Sequence, residues 1–354
     1  MTKLAWLLLL IPALAGAQVK SQTKKESQIK SLFYMTETPA SIQSFLQHAA
    51  KIDVLVPTWY QVDADGLVTG AADPLVLSAA HAGGVPVMPI VALTNKTGIH
   101  ALFLNDKAHQ EMIQALIRES KENGYTGFQF DLENISWTDR DLLSALVKET
   151  ANALHAQGLQ LTIATVPNAP GHPGAGSFGK WIWTDWRGAF DLKALSDSVD
   201  LVCLMTYDQH TRWTAPGPVA GWDWTLENLD YALKYVPKQK LSLGIALYGY
   251  HWYTGGPLKD GDHYKPDITG EYISAPNAQL LARTFKATPE WDPVDHSAWF
   301  YFYRDQMREW VFFTDARTFK DRYQLAQDRG LEGFCSWVLG EEDPTIWNFL
   351  PDRR

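Results

Sequence analysis

Residues 127–134 read Gly-Phe-Gln-Phe-Asp-Leu-Glu-Asn. In an extended strand alternate side chains face opposite ways, so Gln129, Asp131 and Glu133 share one face and Phe128, Phe130 and Leu132 the other. The apolar trio suits a face packed on helices. The polar trio then points into the interior of a closed sheet, where two acids are costly unless they do chemistry. That chemistry is proton transfer. A Glu beside a second carboxylate in a partly dry pocket has its pKa pushed up and can hold a proton near neutral pH. The competing reading is a solvated edge strand. It leaves unexplained why a run flanked by helix-length segments puts both acids on one face.

The elements that would position this face recur along the chain. Short apolar runs at 29–34, 52–59, 85–93, 127–132, 159–166, 199–207, 241–248 and 331–339 give eight strand candidates. Helical patterns separate them, such as 107–123, with Met112, Ile113, Leu116 and Ile117 on one face, and 140–157. Eight β-then-α units predict an α/β fold, a (β/α)8 TIM barrel. No GxGxxG follows the first strand, which argues against a doubly wound sheet. The gap of about 80 residues between the last two strands is too long for one unit. Gly-rich turns and aromatic runs at 298–303 and 311–314 within it predict a small α+β insertion at about 251–313, followed by a closing helix over 314–329. Catalytic residues of such barrels sit at the carboxyl ends of strands, where Glu133 falls.

Composition narrows the partners. The 354 residues are 46% apolar and 20% charged, which fits a folded chain with a real core. The net charge is -9 and no dense Lys/Arg run follows the N-terminal stretch, so nucleic acid is not expected as a partner. Lys3, the apolar run 4–14 and Ala15-Gly16-Ala17 read as a cleavable signal peptide over 1–17, with 18–28 a flexible lead-in and the barrel over 29–354. No run is long enough to span a membrane comfortably. The expected product is a secreted or periplasmic monomer. No CxxC, His/Cys cluster or His-Glu-x-x-His occurs, so no metal or cofactor is called for.

The polar face resembles the DxxDxDxE signature of glycoside hydrolase family 18, with Asp131 and Glu133 at its last two acids. The resemblance implies that Glu133 is the general acid. It implies that Asp131 orients the substrate's own 2-acetamido group, which attacks the anomeric carbon in place of a protein nucleophile. Thr126 stands at the first Asp of the signature and Gln129 at the second, so Asp131 lacks the ionisable neighbour usual there. Met205-Thr206-Tyr207-Asp208 matches the family's Met-x-Tyr-Asp. By that match Tyr207 bonds the acetyl oxygen, and Met205 and Asp208 bind sugar. Residues 247–250 match the end of strand seven, with Tyr248 a substrate contact. Residues 333–340 match strand eight, whose Trp337 floors the sugar subsite. Tyr34 and Trp59, at the ends of the first two runs, are read as further substrate contacts. Pro57-Thr58-Trp59-Tyr60, Trp291-Asp292 and Tyr301-Phe302-Tyr303 are similar to the branch of spore-cortex peptidoglycan hydrolases. The implied substrates are β-linked N-acetylglucosamine glycans: peptidoglycan, chitin oligomers or N-glycan cores.

Trp181, Trp183, Trp186, Trp213, Trp222 and Trp224 crowd the segments after strands five and six, among Gly, Pro, Thr and Asp. They are expected in loops on the binding face, with about half touching glycan through their flat rings. Cys203 shares parity with Tyr207, and Cys335 with Trp337, so both point inward. Strands two apart are separated by roughly 9–10 Å, beyond the Cα spacing of about 7 Å that a disulfide tolerates, so two free thiols are expected. A lectin-like barrel that only binds glycan is the alternative function, favoured by Gln129 and opposed by Glu133, Asp131 and Tyr207 standing together. A metal-dependent hydrolase lacks its ligand cluster.

Overall fold

The computed structural model describes residues 29–254 and 268–353. The expected signal peptide and lead-in lie outside the described residues, as does 255–267 of the expected insertion.

Eight parallel strands form the barrel: Lys30–Met35, Val54–Pro57, Ile90–Leu93, Gly127–Leu132, Gln160–Thr165, Leu201–Leu204, Leu241–Ala246 and Gly333–Trp337. Each pairs with the next except at one seam, and the eighth returns to the first through Lys30↔Gly333 and Leu32↔Cys335. The seam lies between the second and third strands. There the expected run 85–93 is broken by Pro86 and Pro89, which have no amide to donate. A single bridge, Leu55↔Val87, closes the lower half. A hairpin, Tyr60–Val62 with Val68–Gly70, closes the upper half through Tyr60↔Val91.

Period-two alternation separates two cores. Outward side chains such as Phe33, Phe128, Phe130, Ile163, Leu243 and Phe334 pack on the helices. Leu32, Tyr34, Ile90, Cys203 and Cys335 fill the interior. The helix expected over 107–123 is Asp106–Asn123; the Asn105 side chain accepts from the Ala108 amide, and Gly124 ends it at φ 69°. Its Met112, Ile113, Leu116 and Ile117 are buried as expected. The helix expected over 140–157 is Arg140–His155, and the closing helix is Ala316–Arg329.

The sixth and seventh strands are among those that end earlier than the apolar runs suggest. The sixth stops at Leu204 because Thr206 and Tyr207 turn back, their amides donating to Leu204 O and Met205 O at 2.8 and 2.7 Å. Gly244 on the next strand accommodates this turn, since a Cβ there would stand 2.3 Å from Leu204 O. The seventh stops at Ala246, and Tyr248 already belongs to a second sheet. That sheet is antiparallel, in the order Ile268–Ser274, Tyr248–Thr254, Met307–Phe313, Ser297–Arg304 and Glu290–Asp292. One face, with Phe300, Phe302, Val311 and Phe313, packs on Ala275, Ala278 and Ala282 of the helix Ala275–Thr284. The other face is aromatic and leads to the barrel mouth.

Candidate active site

Gln129 and Asp131 point into the barrel from the fourth strand. The Gln129 amide donates to Thr162 Oγ1 at 3.1 Å and to Cys203 Sγ at 3.3 Å, which fixes the inward parity. Glu133 lies one residue past the strand, and its amide donates to Leu93 O at 3.2 Å, so the backbone ladder holds it at the carboxyl end. Both acids are only partly exposed. Burial pushes Asp131 up to about 6, although a hydrogen bond from Glu133 pulls it back. Burial, then the charge and hydrogen bond of Asp131, then the charge of Asp208 push Glu133 up to about 8. At neutral pH the proton of the pair therefore resides on Glu133 and the charge on Asp131. One oxygen of Asp131, Oδ1, is buried without a hydrogen-bond partner among the described residues.

Asp208 faces the pair from the turn after the sixth strand, with a left-handed φ of 59°. Its Oδ1 accepts from Tyr248 Oη at 2.5 Å and from Tyr250 Oη at 3.2 Å. Surrounding protein raises its pKa against the pull of these two hydroxyls. Tyr207 is buried, and burial first and the charges of Cys335, Asp131, Asp208 and Glu133 after it raise its hydroxyl, which stays a neutral donor. Met205, Tyr207, Tyr248 and Trp337 pack in one cluster. Tyr34 stands inside the barrel 5.3 Å from the Trp337 ring, its hydroxyl raised by burial and by Cys203, Cys335, Tyr207 and Asp131. The Trp337–Val338 peptide is cis. Cys203 and Cys335 are buried and free, as their parity and spacing imply. Thr126 lies at the opposite end of the strand, its hydroxyl on Val87 O.

The structure thus brings together Gln129, Asp131, Glu133, Met205, Tyr207, Asp208, Tyr248, Trp337 and Tyr34. It does not bring Trp59 there. That ring is buried in the outer core, 6.1 Å from the Tyr125 ring, because the chain turns at Pro57 and restarts as the hairpin beside the third strand. Five of the six tryptophans expected in loops lie on helical elements instead. Trp181 lies on the helix Ser177–Ile182, Trp183 and Trp186 on the π-helical turn Trp183–Arg187, and Trp222 and Trp224 in the first turn of Trp222–Ala232. Trp222 stacks on His296 at 4.3 Å. Trp213 alone of the six lies in a loop, and it is 86% exposed. Residue types read singly miss Thr162 and Tyr250. The second had a signal, since it shares parity with Tyr248.

A family model described as "Glycosyl hydrolases family 18" matches residues 31–342. The cortical fragment-lytic enzyme of Bacillus subtilis is 26% identical over 257 residues, 71% of this chain. The chain spans only 55% of that relative's length. Among solved structures, the spore cortex-lytic enzyme SleL of Bacillus megaterium superposes with a TM-score of 0.79 at 22% identity, over 92% of this chain and 74% of that one. A chitinase from Chromobacterium violaceum gives a TM-score of 0.78 at 26% identity, over 90% of this chain and 97% of that one.

Proposed function

The chain belongs to glycosyl hydrolases family 18, and from that premise we propose that it cleaves β-linked N-acetylglucosamine glycans by a retaining, substrate-assisted route. The observation that carries the reading is the Asp131–Glu133 pair at the carboxyl end of the fourth strand, with the proton on Glu133. Glu133 gives this proton to the glycosidic oxygen as its bond to the anomeric carbon breaks. The carbonyl oxygen of the substrate's 2-acetamido group attacks that carbon from the other side. Ionised Asp131 offsets the positive charge that develops on the acetamido group, and the neutral Tyr207 hydroxyl donates to its oxygen. Water then opens the cyclic intermediate and gives its proton to the Glu133 carboxylate. Two inversions give net retention.

Trp337 and Tyr34 floor the reacting sugar, and Met205 and Asp208, held by Tyr248, line its side. The apolar run 4–14 and the small residues 15–17 support secretion, and we take the chain to act as a monomer. The test is incubation with soluble N-acetylglucosamine hexamer while new reducing ends and their first anomer are followed by NMR. The β-anomer is expected, and a plain β-glucan should remain intact. An α-anomer first, or cleavage of the plain glucan, would exclude the substrate-assisted route. One observation favours a second reading, a barrel that binds glycan without cutting it: Gln129 spends its amide on Thr162 and Cys203 and offers Asp131 no second ionisable group. Saturable binding with no new reducing ends would support that reading.

A further inference from the structure

The loop after the sixth strand carries a cation that the proposed chemistry does not use. Residues 211–214 form a tight turn: Thr214 N donates to Thr211 O at 3.1 Å, Thr211 N to Thr214 Oγ1 at 3.0 Å and Trp213 N to Thr211 Oγ1 at 3.2 Å. The second sheet clamps this turn from below. The buried Trp252 donates its indole N–H to Thr211 O at 3.2 Å and to Thr214 O at 3.1 Å. Gly270, paired with Trp252, lets the backbone of Arg212 lie directly against the sheet, since a Cβ at 270 would be 2.6 Å from Arg212 Cα. A turn fixed at both ends therefore presents Arg212 and Trp213 to solvent, the guanidinium 5.7 Å from the indole centroid.

This placement is unusual for an arginine in a chain of net charge -9. Arg212 makes no ion pair or hydrogen bond with another described side chain, yet the Trp252 that anchors its turn stands 5.7 Å from the ring of Tyr250, whose hydroxyl donates to Asp208 at 3.2 Å. Arg308, on the same aromatic face farther out, is by contrast engaged by the Tyr303 hydroxyl at 3.0 Å from its Nε. A guanidinium whose N–H donors have no partner among the described side chains, next to an exposed indole, matches a pyranose with an anionic substituent: a ring face stacks on the open side of the indole and the carboxylate takes the fork of N–H donors. A neutral polymer of N-acetylglucosamine has no group that needs the fork.

We propose that Arg212 and Trp213 form a carboxylate-binding subsite beside the reaction centre, so that the preferred glycan carries a carboxylate on a sugar near the cleaved bond. Strands in which N-acetylglucosamine alternates with its 3-O-lactyl ether have this chemistry; chitin does not. The inference rests on the function proposed above and narrows its substrate. The test compares kcat/KM on two forms of peptide-free lactyl-ether strands, one with free carboxylates and one with the carboxylates converted to methylamides, for the wild type and for Arg212→Gln and Arg212→Lys. A charge-assisted bidentate contact should give the wild type a preference of about tenfold for the free acid. Arg212→Gln should bring that ratio to about one, and Arg212→Lys should leave an intermediate value. Because the readout is a ratio, a general loss of rate or fold in a variant does not mimic it. An unchanged ratio in Arg212→Gln, or no wild-type preference, overturns the subsite while leaving the proposed function standing. Failure of the wild type to cut either form or the N-acetylglucosamine hexamer overturns both.

Discussion

Replacing Asp131 by Asn tests the proton assignment directly. On the proposed mechanism the active form has Asp131 ionised and Glu133 protonated. Asp131 at about 6 and Glu133 at about 8 place the two limbs of the kcat/KM profile on either side of an optimum near pH 7. Beyond each limb the rate should fall about tenfold per pH unit. The two values belong to the pair, since each carboxyl acts on the other. The amide introduced by Asp131→Asn cannot ionise, so the acid limb should vanish. The charge that helps raise Glu133 also vanishes, so the alkaline limb should move to lower pH. Burial is the larger cause of the Glu133 shift and remains, so that limb should stay well above the ordinary carboxylate value of 4.5. Loss of the carboxylate that steadies the developing positive charge should cut the rate at the optimum by roughly 10²–10³, the usual scale for one preorganised electrostatic contact. The assay is a pH series of initial rates on N-acetylglucosamine hexamer. An acid limb that survives near pH 6 in Asp131→Asn, or an alkaline limb that does not move, would refute the assignment.

Glu133→Gln should lower kcat by about 10²–10⁴ with glycan affinity nearly intact. The same variant should melt at higher temperature than the wild type. A carboxyl raised on folding binds more protons folded than unfolded, so wild-type stability falls as pH rises from about 4.5 to about 8, and the neutral amide of the variant escapes that loss; calorimetry across this window checks the sign. Tyr248→Phe removes the 2.5 Å donor to Asp208 and leaves only Tyr250 at 3.2 Å. The expected cost is about 1.5–3 kcal/mol of stability together with reduced kcat/KM, and a variant unchanged in both would show the contact to be idle. Thiol titration of the denatured chain without reductant should count both Cys203 and Cys335 as free; a count of zero in a monomer would contradict the parity of strands six and eight.

Much of the barrel was legible because its signals are local. Alternation within 127–132 assigns Phe128 and Phe130 outward and Gln129 and Asp131 inward without knowledge of any other strand, and burial follows that assignment. The same holds for Cys203 and Cys335, and for the helix face of Met112, Ile113, Leu116 and Ile117. The order of the eight parallel strands follows the order of the apolar runs, since each crossover returns the chain to the next position in the ring.

The remaining features depend on contacts between distant segments. An apolar run does not reveal that its backbone changes sheets, so 241–248 reads as one strand although Leu241–Ala246 and Tyr248–Thr254 belong to two. That change of sheet brings Tyr248 and Tyr250 onto Asp208, some 40 residues away, and sets Trp252 under the turn that presents Arg212. Trp59 reads as a sugar contact by its place after the second strand, yet the turn at Pro57 sends it into the outer core against Tyr125. Which side chains share a face is local information, because it follows from the period of the backbone. Which faces meet was left to the closure of the barrel and the docking of the second sheet, because hydrophobic burial is non-directional and only the full set of long-range packings selects one partner for each face.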